Sequence, residues 1–328
     1  MLLEKPDQIE NSPLQARDVP TPEPGKDEIL VRVEVCGVCR TDLHVVEGEL
    51  PPHKQPIIPG HEIVGRVERR GPGAGRFEVG DRVGVAWLHR TDQTCAYCRR
   101  DQENLCDHPQ FTGYDLDGGY AEFTLAAEDF AYKLPEEVES DTLAPLLCAG
   151  IIGYRALRRS EVQPGQRLGL YGFGASAHIV IQIARHWGCE VYVASRDEKH
   201  RALAKDMGAA WVGEASEAPP RKLNSAILFA PAGELVPPAL QALNKGGRLV
   251  LGGIHMSDIP ALQYRWLYQE RVIRSVANNT RQDGIDFLRV AAEIPIHTEV
   301  QLFELRDANR ALNQLKNDAV RGAAVLTP

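Results

Sequence analysis

Residues 167–177 read Arg167-Leu168-Gly169-Leu170-Tyr171-Gly172-Phe173-Gly174-Ala175-Ser176-Ala177. The first five form a short apolar strand pattern, and beyond the small residues Ile179, Ile183 and Ala184 fall on one face of a helix. Small residues at 172, 174 and 177 let the backbone approach a pyrophosphate placed at the amino terminus of that helix, with Ala175 and Ser176 in its first turn. A Gly-x-Gly-x-x-Ala pattern alone is a weak signal; the strand before it and the helix after it make it a dinucleotide-binding turn.

Downstream the alternation continues. Strand patterns at 190–194, 226–229 and 247–251 are separated by helical patterns at 199–207 and 235–243. This βαβ spacing predicts a doubly wound, mostly parallel sheet over residues 150–285. At the end of the 190–194 strand, where an NAD enzyme places Asp or Glu on the ribose hydroxyls, stand Ser195 and Arg196. A hydroxyl and a guanidinium suit a 2'-phosphate, so NADP is expected over NAD; the competing reading makes Arg196 a solvated loop residue.

Upstream the pattern is different. Ile29, Val31, Val33 and Val35 alternate with Leu30, Arg32, Glu34 and Cys36, and 63–68, 82–87 and 120–125 also read as strands between Gly-rich turns. The first 135 residues are therefore expected to be mostly β, and the apolar run 142–157, which contains Cys148, to be helix leading out of that domain. A helix at 308–316 and a strand at 322–326 close the chain.

Composition narrows the class. The 328 residues, 43% hydrophobic and 25% charged, are enough for two globular domains. A net charge of -8 without a Lys/Arg stripe argues against nucleic acid as a partner. There is no secretory pattern at the start and no apolar run of membrane-spanning length, so a cytoplasmic location away from membranes is expected. Seven cysteines, three of them between 95 and 106, suit metal ligation in a reducing compartment better than disulfides.

Two metal sites follow from the cysteines. Cys95-x-x-Cys98 and Cys106 supply three thiolates, and Asp92, three residues before Cys95, offers a fourth ligand to a closed structural zinc; His89 and His108 are nearby alternatives. Cys39, His61 and Cys148 suit a reactive zinc with an exchangeable position, Glu62 serving as a fourth ligand or as an adjacent anion. Asp42 would take the other ring proton of His61, while Thr41 and His44 would carry the proton of an alcohol toward water. The plainer readings are a Thr41 bonded to its own backbone and a surface His44. Cys36-x-x-Cys39 by itself also allows thioredoxin-like redox chemistry, but no proline-marked helix follows and His61-Glu62 would go unexplained.

Taken together, Cys39-Arg40-Thr41-Asp42-Leu43-His44, Gly60-His61-Glu62, Leu147-Cys148-Ala149-Gly150, the segment from Asp92 to Cys106 and Gly118-Gly119-Tyr120-Ala121-Glu122 resemble the zinc-dependent medium-chain alcohol dehydrogenases over essentially the whole chain. The resemblance implies a chaperonin-10-like catalytic domain, here 1–149 with 286–328, and a Rossmann nucleotide domain at 150–285 with a cleft between them. It also implies two zinc ions per chain, Arg40 among the cofactor contacts, and homodimers or homotetramers built through the nucleotide domains. Trp87 is expected by family position to line the alcohol pocket and to favour small or unbranched substrates. Asp92 departs from the family's cysteine, and Ile152-Gly153 replaces a pair usually containing threonine. The implied reaction is reversible hydride transfer between a small primary or secondary alcohol and NAD(P), giving aldehyde or ketone. A polyol or cinnamyl-type dehydrogenase on the same scaffold and a non-catalytic nucleotide- and zinc-binding protein are the alternatives.

Overall fold

The alternating run at 29–36 becomes the strand Glu28–Val38, with Ile29, Val31, Val33 and Val35 buried as the period-2 pattern requires. Leu30 and Cys36 on its other side are buried as well, so this strand is packed on both faces. The computed structural model describes residues 1–51, 53–294 and 296–328, which fall into two units. One comprises Met1–Cys148, Thr280–Ile285 and His297–Pro328; the other comprises Ala149–Asn279 and Asp286–Ile296.

In the first unit Glu28–Val38 is the centre of a seven-stranded sheet. Its first residues pair with Phe123–Ala127, its last with Ala323–Thr327, and its whole length with Glu62–Arg70, all antiparallel. Register shifts between Leu30 and Val31 and between Val33 and Val35 bend it. Arg82–Val85, Tyr132–Lys133 and Val300–Glu304 complete the sheet, giving the expected GroES-like, β-rich architecture.

Three local expectations change. The strand expected at 120–125 is Phe123–Ala127, because the N–H groups of Gly119 and Tyr120 donate instead to the carbonyls of Gly60 and Pro59. The strand expected at 82–87 ends at Val85, and Leu88–Arg90 pairs separately with Gln110–Phe111. The apolar run 142–157 is not one helix: a 3-10 turn, Ala144–Leu147, precedes the helix Ala149–Ser160, and Cys148 lies between them at φ -123°, ψ -72°. Pro145 has no N–H to offer Asp141 O, so the short helix Ser140–Leu143 does not continue as α-helix into this turn.

The second unit is a six-stranded, wholly parallel sheet in the order Trp211–Gly213, Glu190–Ala194, Arg167–Tyr171, Leu223–Leu228, Leu243–Leu251, Val272–Ser275. In chain order this is 3-2-1-4-5-6, the Rossmann arrangement, with the order reversing beside Arg167–Tyr171. The inner stretches of the central strands, residues 168–171, 226–228 and 249–251, are apolar and buried, as cover on both faces demands. Among the described residues no helix is long and apolar enough to cross a membrane.

Candidate active site

Cys39 is the N-cap of the helix Arg40–Glu47. Its Sγ accepts the Thr41 N–H at 3.2 Å, and its own N–H donates to Asp42 Oδ2 at 2.9 Å, a reciprocal cap that fixes the thiol at the helix start. His61 Nε2 lies 3.3 Å and Cys148 Sγ 3.9 Å from Cys39 Sγ. With Glu62 at the start of Glu62–Arg70, one ligand atom from each of the four residues lies within 4.8 Å of the others. Glu62 fits because Gly37 is directly opposite it in the sheet: a Cβ at 37 would stand 2.0 Å from Glu62 Oε2.

His61 Nδ1–H donates to Asp42 Oδ1 at 2.8 Å, which leaves Nε2 facing the thiols. Asp42 is held in turn by Tyr120, whose buried hydroxyl donates to Oδ2 at 3.2 Å. Tyr120 lies in the stretch 118–122 that carries part of the resemblance, but no motif assigns it a role; it is 78 residues from Asp42 in sequence.

The electrostatics describe a ligand set for a cation. The hydrogen bond from Cys148 holds the Cys39 thiol well below its ordinary pKa in spite of burial, and Cys148 is pushed well up by the same hydrogen bond and by burial. Burial raises Glu62 strongly and Asp42 less so, whereas His61 is raised by the charges of Asp42 and Cys39 against the opposing effect of burial. Two thiols, an imidazole and a carboxylate stand together, His61 and Glu62 buried and the two cysteines half-buried; the thiolates and the carboxylate repel one another when ionised, a divalent ion relieves that repulsion, and this donor set fits zinc.

Thr41 and His44 lie three residues apart on the Arg40–Glu47 helix, hence on one side of it. His44 is partly exposed and its Nδ1 pairs with Glu49, a partner that was not anticipated. Arg40 is exposed and pairs with Asp318 at 2.6 Å. The Trp87 ring stands edge-on to His61, 5.0 Å between centroids.

The second cluster brings Asp92, Cys95, Cys98 and Cys106 together within 4.8 Å; neither His89 nor His108 is part of it. Asp92 Oδ1 accepts the N–H groups of Thr94 and Cys95 at 2.8 and 2.9 Å, and Cys106 Sγ accepts those of Asp92 and His108, each at 3.4 Å. The Cys95 and Thr94 amides hold the Asp92 carboxyl well below the usual carboxylate range, while burial pushes the Cys98 thiol up to about 12. A bidentate ion pair from Arg281 to Glu103, with contacts of 2.7 to 3.0 Å, fastens this lobe to the Arg281–Glu293 helix start.

In the second unit Gly172 follows the Arg167–Tyr171 strand at φ +87°, and a Cβ there would meet Ala230 N at 2.8 Å. Gly174 caps the helix Ala175–His186 with open space at its Cβ position; Gly174 and Ala175 are exposed, Ser176 is half-buried and Ala177 is fully buried. Ser195 is buried and Arg196 exposed beyond Glu190–Ala194. Arg201 Nη1 donates to the carbonyls of both, at 2.7 and 3.0 Å, and so braces the loop. The nearest carboxylate, Asp197, is occupied in capping the Glu198–Asp206 helix through the N–H groups of Lys199 and His200.

Comparison with known proteins agrees with this geometry. Residues 25–136 match the alcohol dehydrogenase GroES-like domain and residues 177–293 the zinc-binding dehydrogenase family. The chain is 51% identical to "Probable alcohol dehydrogenase AdhA" of Mycobacterium tuberculosis over 98% of its length and 95% of that protein's. It is 35% identical to an alcohol dehydrogenase of Geobacillus stearothermophilus, covering 96% of each. The cobalt- and zinc-bound thermostable alcohol dehydrogenase of Pyrobaculum aerophilum superposes with a TM-score of 0.89 at 26% identity, over 100% of this chain and 98% of that one.

Proposed function

The chain belongs to the zinc-dependent medium-chain alcohol dehydrogenases, and we propose that Cys39, His61, Cys148 and Glu62 hold its reactive zinc and Asp92, Cys95, Cys98 and Cys106 its structural zinc. It is a zinc- and nucleotide-dependent enzyme that interconverts alcohols and aldehydes. The observation that carries the site assignment is the convergence of four ligand atoms within 4.8 Å around a histidine whose far nitrogen is fixed by Asp42.

Bound in these places, zinc supplies a Lewis acid toward the substrate oxygen and the nicotinamide accepts or returns the hydride. The rest belongs to the chain's own residues. Asp42 keeps His61 in the Nδ1–H tautomer, and the Thr41 N–H steadies the Cys39 thiolate. The Thr41 hydroxyl accepts the alcohol proton as it passes its own on, by way of a ribose hydroxyl of the nucleotide, to His44, which is partly exposed and paired with Glu49 and releases a proton to water. The Cys39→Ser variant is expected to lose alcohol oxidation while NADPH fluorescence titration still reports nucleotide binding; unchanged turnover would reject the assignment.

For the nucleotide we infer NADP over NAD. The exposed guanidinium of Arg196 and the hydroxyl of Ser195 stand at the end of Glu190–Ala194; of the carboxylates beside them, Asp197 is engaged with backbone amides of its own helix and Glu214 faces Arg201 at 3.7 Å. A homodimer or homotetramer built through the nucleotide unit is supported by its edge strand Val272–Ser275 and by the exposed rings of Tyr264 and Tyr268, since an uncovered edge is a pairing surface. Light scattering of the full chain tests the assembly. Seven cysteines without a disulfide, five of them in the proposed zinc sites, support a reducing, cytoplasmic setting. The division into a catalytic unit and a nucleotide unit is proposed on the same grounds, with Arg40 retained among residues that reach the cofactor.

A further inference from the structure

The lobe from Asp92 to Cys106 has little besides its ligand set to hold it together. Its regular structure is two 3-10 turns, Cys98–Arg100 and Glu103–Leu105, and of residues 92–106 only Glu103, Asn104 and Cys106 are buried. Leu105, its one large aliphatic side chain, is exposed. A segment without an apolar core of its own keeps its shape through cross-links, here the ligands Asp92, Cys95, Cys98 and Cys106.

Glu103 works in two directions. Its carbonyl accepts the N–H of the ligand Cys106 at 3.0 Å. Its carboxylate accepts not only the Arg281 guanidinium but also the Arg281 backbone N–H, at 2.7 Å. Arg281 opens the helix Arg281–Glu293, and the first N–H groups of a helix have no partner within it, so this helix start is capped by a carboxylate 178 residues away in sequence. Thr280 and Asp283 complete the cap: the Thr280 N–H donates to Asp283 Oδ2 at 2.9 Å and the Asp283 N–H to Thr280 Oγ1 at 3.1 Å. The helix then leaves the first unit at Ile285 and continues in the second from Asp286. There the fully buried Phe287 lies 5.9 Å from the Tyr154 ring and Asp286 accepts Arg158 at 3.0 Å, both partners standing on the helix Ala149–Ser160, which begins one residue after Cys148.

We propose that Glu103 is a latch by which the metal of the Asp92 lobe holds the start of the helix Arg281–Glu293, so that loss of this metal frees the helix start and loosens its packing on Ala149–Ser160. This rests on the structural-zinc reading above. While the ligands are joined, the turn Glu103–Leu105 is fixed and its buried carboxylate stays on Arg281. Once they part, no apolar contact keeps the turn in place, the carboxylate goes to water, and the helix loses the cap on its first N–H together with the anion at its positive end. With Asp92 among its ligands the lobe holds zinc less firmly than four thiolates would, so the latch answers to zinc supply.

The experiment compares amide hydrogen exchange of the zinc-loaded full chain with that of Cys98→Ser, which cannot complete the lobe's ligand set, with zinc counted in both. Exchange over residues 281–290 is expected to be about tenfold faster in Cys98→Ser, the worth of one charge-assisted cap, with a smaller rise over 150–160 and none over 62–70 in the sheet. Glu103→Gln keeps the ligands and the volume but turns an NH2 group toward the Arg281 guanidinium. It should show the same acceleration with its zinc count unchanged. Faster exchange confined to 92–108 in Cys98→Ser overturns the latch, and so does a rise that reaches 62–70 equally, since the lobe would then support the fold as a whole. A Glu103→Gln chain whose helix start exchanges like wild type removes Glu103 as the link. Equal zinc counts in wild type and Cys98→Ser remove the structural-zinc reading and the latch with it. Chelator-treated wild type supplies the same comparison should Cys98→Ser fail to fold.

Discussion

Replacing Asp42 by Asn tests the support of the catalytic cluster with almost no change in volume. Asp42 receives three donors: the buried His61 Nδ1–H on Oδ1, and the half-buried Cys39 N–H and buried Tyr120 O–H on Oδ2. If the asparagine carbonyl faces His61, its NH2 group confronts the Cys39 N–H and the Tyr120 hydroxyl. Tyr120 can rotate its proton and accept, but the Cys39 amide cannot, and one unpaired buried donor costs about 1–3 kcal/mol. If the amide turns the other way, it forces His61 to carry its proton on Nε2, the nitrogen required by the metal. Loss of such a carboxylate behind a ligating histidine lowers metal affinity roughly 10–100-fold. Competition of the metal-free variant against a chromophoric chelator should show that drop in one site while the Asp92 cluster is unaffected. Tyr120→Phe, which removes a single neutral donor, should show a smaller loss. Zinc affinity of the variant within about twofold of wild type would refute the argument that Asp42 sets the His61 tautomer.

Arg196→Asp should move the NADP-to-NAD ratio of kcat/KM toward NAD by about 10–100-fold, the worth of one charge-assisted phosphate contact; an unaltered ratio in initial-rate assays would reject the site. Because the Asp92 carboxyl is depressed, its contribution is present at neutral pH and is lost only as pH falls below the ordinary carboxylate range, so metal release above about pH 4 should not come from this ligand. Asp92→Asn should release the metal at neutral pH faster than wild type, as read by a chelating dye. His89 is buried and is pushed down to about 4 by burial and by Arg90. The unfolded chain therefore takes up a proton that the folded chain refuses between about pH 6.5 and 4, and stability should fall by up to about 3 kcal/mol across that window. His89→Gln should flatten this part of a urea-midpoint profile against pH, and an unchanged slope would show that His89 is not its source.

What was legible in the residues was local. The strand, Gly-rich turn and helix around Gly172 are contiguous, so spacing alone placed them, whereas the helix Arg40–Glu47 that carries Thr41 and His44 was not read as one. The strand Val272–Ser275 was not seen because an exposed edge position with Arg274 and Ser275 has no apolar alternation to read. The end of helix Ser140–Leu143 had a signal, Pro145, that the surrounding apolar run concealed, whereas the break at Cys148 had none. Tyr120, Glu49 and Glu103 escaped for another reason. Their roles come from contacts made by the fold, and nothing in a ring or a carboxylate at those positions announces which partner it meets.

The catalytic cluster shows how much of a site consists of what surrounds its ligands. Glu62 can face Cys39, His61 and Cys148 only because the residue opposite it in the register has no side chain, and that residue is Gly37, inside a strand where a glycine is otherwise a cost. The same strand ends at Val38, one residue before Cys39 begins its helix as the N-cap, so a single strand exit sets both the space for the carboxylate and the direction of the thiol. Asp42 then links this helix start to His61 and Tyr120. Four ligands drawn from three distant segments are thereby held by one strand end and one buried carboxylate, which is why neutralising Asp42 should loosen the metal more than its lack of direct ligation would suggest.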